Sequence, residues 1–195
     1  MNLPNLFNKI IAHPDLVEIL TWPFDFEVIK PYAISEEPDL KVREVATVIA
    51  KDGTGGIFAL WGEGQQVDNC PIVYIGSEGE AGMIAHNFHE CISLTTQHPY
   101  WRDMLKYSGG GQLKEMYKVL SLLEVELLEE EPDIELMRER LISTLQLNIE
   151  MDLVEQLFYA VSSKIDLQLT TIDNQKFDSL FNSFTVNDNP LWKNS

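Results

Sequence analysis

Residues 42–64 read VREVATVIAKDGTGGIFALWGEG, and residues 71–96 read PIVYIGSEGEAGMIAHNFHECISLTT. Val42, Val45, Val48 and Ile49 lie in an apolar-rich run that meets the turn sequence DGTGG at 52–56, and a second apolar run, 57–61, follows at once. Two β-rich runs around a Gly-rich turn signal a hairpin whose loop exceeds the two-residue type. Ile72, Val73, Tyr74 and Ile75 predict a third strand stopped by Gly76, and Met83 to Ala85 a short fourth. Pro71, which has no N–H to donate, suits a strand start or a sheet edge. A turn too short for a crossover helix makes the first pair antiparallel.

Outward from this centre, Leu3, Leu6, Phe7, Ile10 and Ile11 have helical spacing, and Leu16, Val17, Ile19 and Leu20 continue it after Pro14. Trp22-Pro23 ends that piece, because proline restricts the residue before it. Phe24, Phe26 and Val28 alternate as in a half-buried strand, and 31–40 reads as a surface connection. Asn87, with Glu90 three residues on, predicts a capped helix start. Gly109, Gly110 and Gly111 read as a flexible break. Beyond them Leu113, Met116, Tyr117, Leu120, Leu123 and Leu127 mark an amphipathic helix with a frayed, glutamate-rich end. Asp133 and Asp152 open two more. The fold class expected is α+β: a central, largely antiparallel sheet from about 24 to 85, flanked by helices. The division expected is a core at 1–108 and a C-terminal helical extension at 109–195, packed on the core and not folding by itself.

Gly53, Gly56, Phe58, Ala59, Leu60 and Trp61, then Pro71 to Gly76 with Glu78 and Gly79, then the helix opening at Asn87 and Phe88, resemble the core of the SUKH superfamily. That group includes the yeast cell-wall-synthesis regulator and bacterial proteins that neutralise toxins delivered by neighbouring cells. The resemblance covers roughly 44–96, and segments outside it match weakly. It implies a scaffold whose glycines hold the fold, with partner specificity on variable faces. Gly53, Gly56, Pro71, Gly76 and Gly79 are accordingly structural candidates.

Fourteen basic against 31 acidic side chains give a formal charge of -17. Such a chain is poorly suited to nucleic acid or an anionic membrane, which call for positive potential, and is suited to a basic partner. The same charge can also serve solubility alone. Two cysteines are too few for a disulfide scaffold. The first residues lack the long apolar core of a signal peptide, so the cytoplasm is the expected compartment.

Candidate chemistries are sparse. His86, His89, Cys91 and His98 are zinc-ligand types, but on one helix Cys91 points well away from His89, so no metal or other cofactor is expected. DGTGG runs from strand into strand, whereas a phosphate loop runs from strand into helix. Asp52, Glu63, Asp68, Glu78 and Glu80 lack the companions of a carboxylate hydrolase. The function expected is therefore non-enzymatic protein binding, immunity-like toward a basic toxin domain. The alternatives are a regulatory or scaffold protein with acidic helices, and an enzyme using loop carboxylates. Candidate partner-binding residues are Trp61, Glu63 and Glu78 around the sheet turns, and Glu129, Glu130, Glu131 and Asp133 on the acidic helical region.

Overall fold

The computed structural model describes residues 2–62, 67–163 and 167–181. Two short helices open the chain, α1 (Asn5–Ile11) and α2 (Pro14–Thr21), with Pro14 at the first turn of α2, where its missing N–H costs nothing. They lead into β1 (Glu27–Ala33), the short β2 (Leu40–Val42), and then the hairpin of β3 (Ala46–Lys51) and β4 (Ile57–Trp61). β5 (Ile72–Ile75) and β6 (Ala81–Ala85) complete a five-stranded antiparallel sheet in the order β1-β3-β4-β5-β6. After it come α3 (Phe88–Gln97), α4 (Trp101–Lys106), α5 (Leu113–Glu130), α6 (Ile134–Leu145) and α7 (Leu153–Ser162). The strand β7 (Leu169–Thr171) then returns to pair antiparallel with β2. Of the described residues 45% are helical and 21% lie in strands, an α+β protein with helix in excess.

Strand alternation sorts the core into two layers. Phe58 and Leu60 of β4, with Ile72 and Tyr74 of β5, face the helices and join Phe7, Phe26, Phe88, Trp101, Met116 and Leu141 in one cluster. Ile57, Ala59 and Trp61, with Val73 and Ile75, face the other way, where Leu169, Leu40 and Val42 of the β2–β7 ribbon cover them. Every residue of β4 is buried because both faces of this central strand are covered.

Several expectations change. The strand expected from Phe24 begins instead at Glu27 and runs through Pro31 and Tyr32. β1 is an edge strand with an irregularity between Val28 and Tyr32, and there a proline removes no ladder bond. The glycine break is a wound turn: Gly109, Gly110 and Gly111 all take positive φ, and the Ser108 hydroxyl accepts from the Gly111 N–H at 2.9 Å. The region beyond 108 does pack on the sheet as expected, since Met116, Val119, Ile134, Leu141 and Leu157 belong to the same core. It is not helical throughout, because β7 lies within it. The glutamate-rich end of α5 holds its helix to Glu130, and the Glu131 N–H bonds the Leu127 carbonyl at 2.8 Å. The caps at Asn87 and Asp152 are present, accepting from the Glu90 N–H at 2.8 Å and the Glu155 N–H at 2.9 Å.

Candidate functional site

The hairpin turn is built around Asp52, which is 4% exposed. Its Oδ1 accepts from the N–H groups of Thr54 (2.9 Å) and Gly56 (2.8 Å) and from the Thr54 hydroxyl (2.8 Å). Its Oδ2 accepts from the Tyr74 hydroxyl at 2.5 Å and from Arg102 Nη1 at 2.6 Å. Arg102 reaches on to Asp25 at 2.6 Å, and Asp25 accepts the Gly53 N–H at 2.7 Å. Burial would raise the Asp52 carboxyl, but the bonds from Tyr74 and Thr54 and the Arg102 charge outweigh it and hold the pKa below the usual range. With both oxygens used in holding the turn, this carboxylate is a clasp between the β3–β4 turn, β5 and α4.

Beside the clasp lies a cleft of about 230 Å³ lined by Thr54, Glu78, Glu80, Trp101, Asp103 and Lys106, among others. Burial raises the carboxyls of both Glu80 and Asp103; the Glu78 charge adds to it for Glu80, while Lys106 works against it for Asp103. Groups so shifted can donate a proton or a hydrogen bond at higher pH than free carboxyls. Glu78 itself is exposed in the β5–β6 turn. Gly79 beside it takes φ +96, the conformation that requires glycine there. Gly76 matters less, since a Cβ there meets only the movable carboxylate end of Glu80.

Trp61 does not belong to a surface. It is 6% exposed and packs in the second core layer, because the β4 alternation that turns Phe58 and Leu60 toward the helices turns Trp61 toward the ribbon. Glu63 lies outside the described residues. Trp61 therefore forms no exposed patch with Glu129–Asp133.

On α5, Met116, Val119 and Leu123 are buried. The opposite face carries Leu122, Val125 and Leu128, which are 40%, 54% and 40% exposed. Their three-residue spacing aligns them along one side of the helix. Glu126 and Glu129 are exposed along one flank of this stripe, Glu130 is exposed at the helix end, Asp133 is exposed in the following turn, and Glu131 is half-buried. Not all the acids of the region belong to that face. Arg138, only 3% exposed, binds Glu124 at 2.5 and 3.1 Å, Glu135 at 2.6 Å, and the carbonyls of Thr96 and Gln97. Tyr100 donates to Glu124 at 2.5 Å, and His98 lies 3.3 Å from the Tyr100 hydroxyl. Burial raises the Glu124 carboxyl, but the Arg138 and Tyr100 bonds prevail and lower it. A buried arginine on α6 claims Glu124 of α5 and Glu135 of its own helix. Arg140 pairs with Asp15.

Among the described residues no three His, Cys, Asp or Glu side chains gather as a metal-binding group, and no helix is long and apolar enough to cross a membrane. Phe88, Cys91 and Ile92 are core residues, while His86 pairs with Glu90. The sequence reading passed over Arg102, Arg138 and the exposed α5 leucines. A tyrosine at an inward-facing strand position calls for a partner to its hydroxyl, and that is the signal that points to the Asp52 clasp. No protein-family model matches this chain, and neither a curated protein nor a solved structure matches it either.

Proposed function

We propose that this chain is a non-enzymatic protein-binding domain, immunity-like in role, that docks a basic protein such as a toxin domain through the outward face of α5 and the α5–α6 turn. The observation that carries the reading is the apolar stripe Leu122–Val125–Leu128 standing exposed, with Glu126 and Glu129 along one flank and Glu130 and Asp133 exposed at the helix end. Apolar anchors bordered by polar groups are the anatomy of a docking surface, and this acidic border fits a partner carrying lysines and arginines. The SUKH-like stretch at 44–96 agrees with such a role, since it implies a binding scaffold. The two parts of the surface have separable effects. Rim charge accelerates encounter and is screened by salt, whereas buried apolar anchors set dissociation.

The test takes a basic protein captured from relatives of the source cell and measures its kinetics from about 50 mM to about 500 mM salt. Association should slow with salt and slow again when Glu126, Glu129 and Glu130 become Gln and Asp133 becomes Asn. Val125→Ser should raise the dissociation rate. An association rate indifferent to the quadruple change, with dissociation indifferent to Val125→Ser, sinks this docking face.

A further inference from the structure

Helix α5 buries Glu115, Met116, Val119 and Leu123 along one side and leaves the opposite side open. The open side carries charges of both signs, set apart along its length. Lys114 and Lys118 stand in its first half with 72% and 55% of their side chains exposed, although both reach Glu115. Glu126, Glu129 and Glu130 stand exposed in its second half. Their spacing is symmetric. Lys118 and Glu129 are about three helical turns apart, so they share one flank of α5. Tyr117 and Leu128, both 40% exposed, are the same distance apart and share the other flank. The exposed Leu122 and Val125 lie between them, and all three pairs are centred within about one residue of Leu123.

A helix face with this symmetry fits a copy of itself. When two identical helices pack antiparallel about a two-fold axis, each flank meets the same flank of the other copy, and a residue ahead of the axis meets one equally far behind it. With the axis beside Leu123, Lys118 meets Glu129 of the second copy, Leu122 meets its Val125, and Tyr117 meets its Leu128, each contact occurring twice. A parallel pair would set Glu126, Glu129 and Glu130 against themselves, which like charge opposes. We infer that the outward face of α5 is a self-complementary surface on which a second copy of this chain docks antiparallel. The contact is one helix pair spanning about 17 Å from Lys118 to Glu129, so it belongs with small, weak interfaces. The formal charge of -17 on each copy opposes it at long range. The dimer uses the stripe assigned above to a basic partner and rests on that reading in one respect: the two occupants exclude each other, so self-association regulates access to the face.

Sedimentation equilibrium of the whole protein tests this, from about 5 µM to about 1 mM chain and at about 150 mM and about 500 mM NaCl. The expected result is a reversible monomer–dimer equilibrium with a dissociation constant on the order of 100 µM. It should be at least about twofold tighter at the higher salt, because screening relieves the repulsion between two acidic chains more than it weakens contacts made at close range. Val125→Glu, which sets a carboxylate into the apolar seam, should weaken the dimer by about tenfold or more. Charge exchange reports the register. At the higher salt Lys118→Glu and Glu129→Lys should each weaken self-association by about threefold or more, whereas the two variants mixed should pair at about the unaltered affinity. Urea midpoints check the fold of each variant, above all Lys118→Glu, since Lys118 also pairs with the buried Glu115; where that variant unfolds, Val125→Glu, at an exposed position, decides alone. A chain still monomeric at about 1 mM in the higher salt, a dimer indifferent to Val125→Glu, or a folded mixture that associates no better than its components overturns the assignment. The docking reading fails separately, since salt slows association with a basic partner and tightens the dimer.

Discussion

Replacing Gly56 by alanine puts the structural argument under direct strain. A Cβ at Gly56 would lie 2.2 Å from the Tyr74 hydroxyl oxygen and 2.6 and 2.7 Å from its ring carbons. The ring cannot step aside easily. It is 1% exposed, flanked by Phe58 and Trp101 with centroids 5.1 Å away, and tethered by its hydroxyl to Asp52. Overpacking of this kind costs about 1–3 kcal/mol. Displacing the hydroxyl adds about 1.5–3 kcal/mol for a bond to a charged acceptor. The alanine recovers about 0.4–1 kcal/mol by restricting the unfolded chain. Since relaxation trades the first two against each other, the net expectation is about 2–4 kcal/mol of destabilisation. Urea unfolding should show it as a midpoint lowered by about 1–2 M at an unchanged slope. A cycle with Tyr74→Phe identifies the cause: without the hydroxyl, the Gly56→Ala penalty should shrink by about 1 kcal/mol or more. An unmoved midpoint, or the same penalty in both backgrounds, refutes the reasoning.

Gly55 supplies a contrast: its φ is +92 with only Ser77 Cβ nearby at 3.9 Å, so Gly55→Ala should cost about 1–2 kcal/mol from backbone strain alone and ignore Tyr74→Phe. Arg138→Ala leaves Glu124 and two carbonyls partly buried without their donor and should cost about 3–5 kcal/mol in thermal or chemical unfolding; a loss below about 1 kcal/mol contradicts the buried pairing. Burial, then the Arg138 charge, lowers the His98 pKa to about 4. Between pH of about 6.5 and 4 the unfolded chain binds this proton and the folded one does not, so stability falls on acidification across that window by up to about 3 kcal/mol and the loss levels off below it. In His98→Gln the slope over this window should flatten, read from unfolding midpoints at stepped pH; an unaltered slope rules His98 out as its source. Asp152→Ala removes the α7 cap and should cost about 1 kcal/mol; a value near zero means the cap is replaced by water.

The centre of the fold was readable because β4 and β5 are short unbroken apolar runs, IFALW and IVYI, bounded by glycine or proline, so the strands and the turn between β3 and β4 stand out of the sequence. Caps at Asn87 and Asp152 were readable too, being contacts only three residues long. What escaped depends on partners distant in the chain. Val42 looked like part of the β3 run, yet it pairs with Leu169, and nothing local marks that choice. Pro31 argued against a strand until β1 proved to be an edge. Glycines 109–111 carry the composition of a loose linker, and only their shared positive φ and the Ser108 contacts make them a tight turn. The acidic region was legible as a sum of charges but not as a face, since the pairing of Glu124 and Glu135 requires knowing that Arg138 points inward. The α5 stripe was missed because leucines at helical spacing read first as core, and this helix has more of them than its buried side can take.

The β2–β7 ribbon also bears on how the protein comes off the ribosome. The sheet is complete once Ala85 has been made, but the strand that covers its second face is the last element described. At about 5–20 residues per second, the stretch from Ala85 to Leu169 takes on the order of ten seconds to synthesise. Until Leu169 is made, Val48, Ala59, Trp61 and Val73 have no β7 to help cover them, and β2 has no partner strand. A nascent chain in this state is a substrate for holding chaperones and a hazard for its neighbours on the same message. Stop codons or cleavage just ahead of Leu167 therefore leave a domain with its helices in place and an adhesive back.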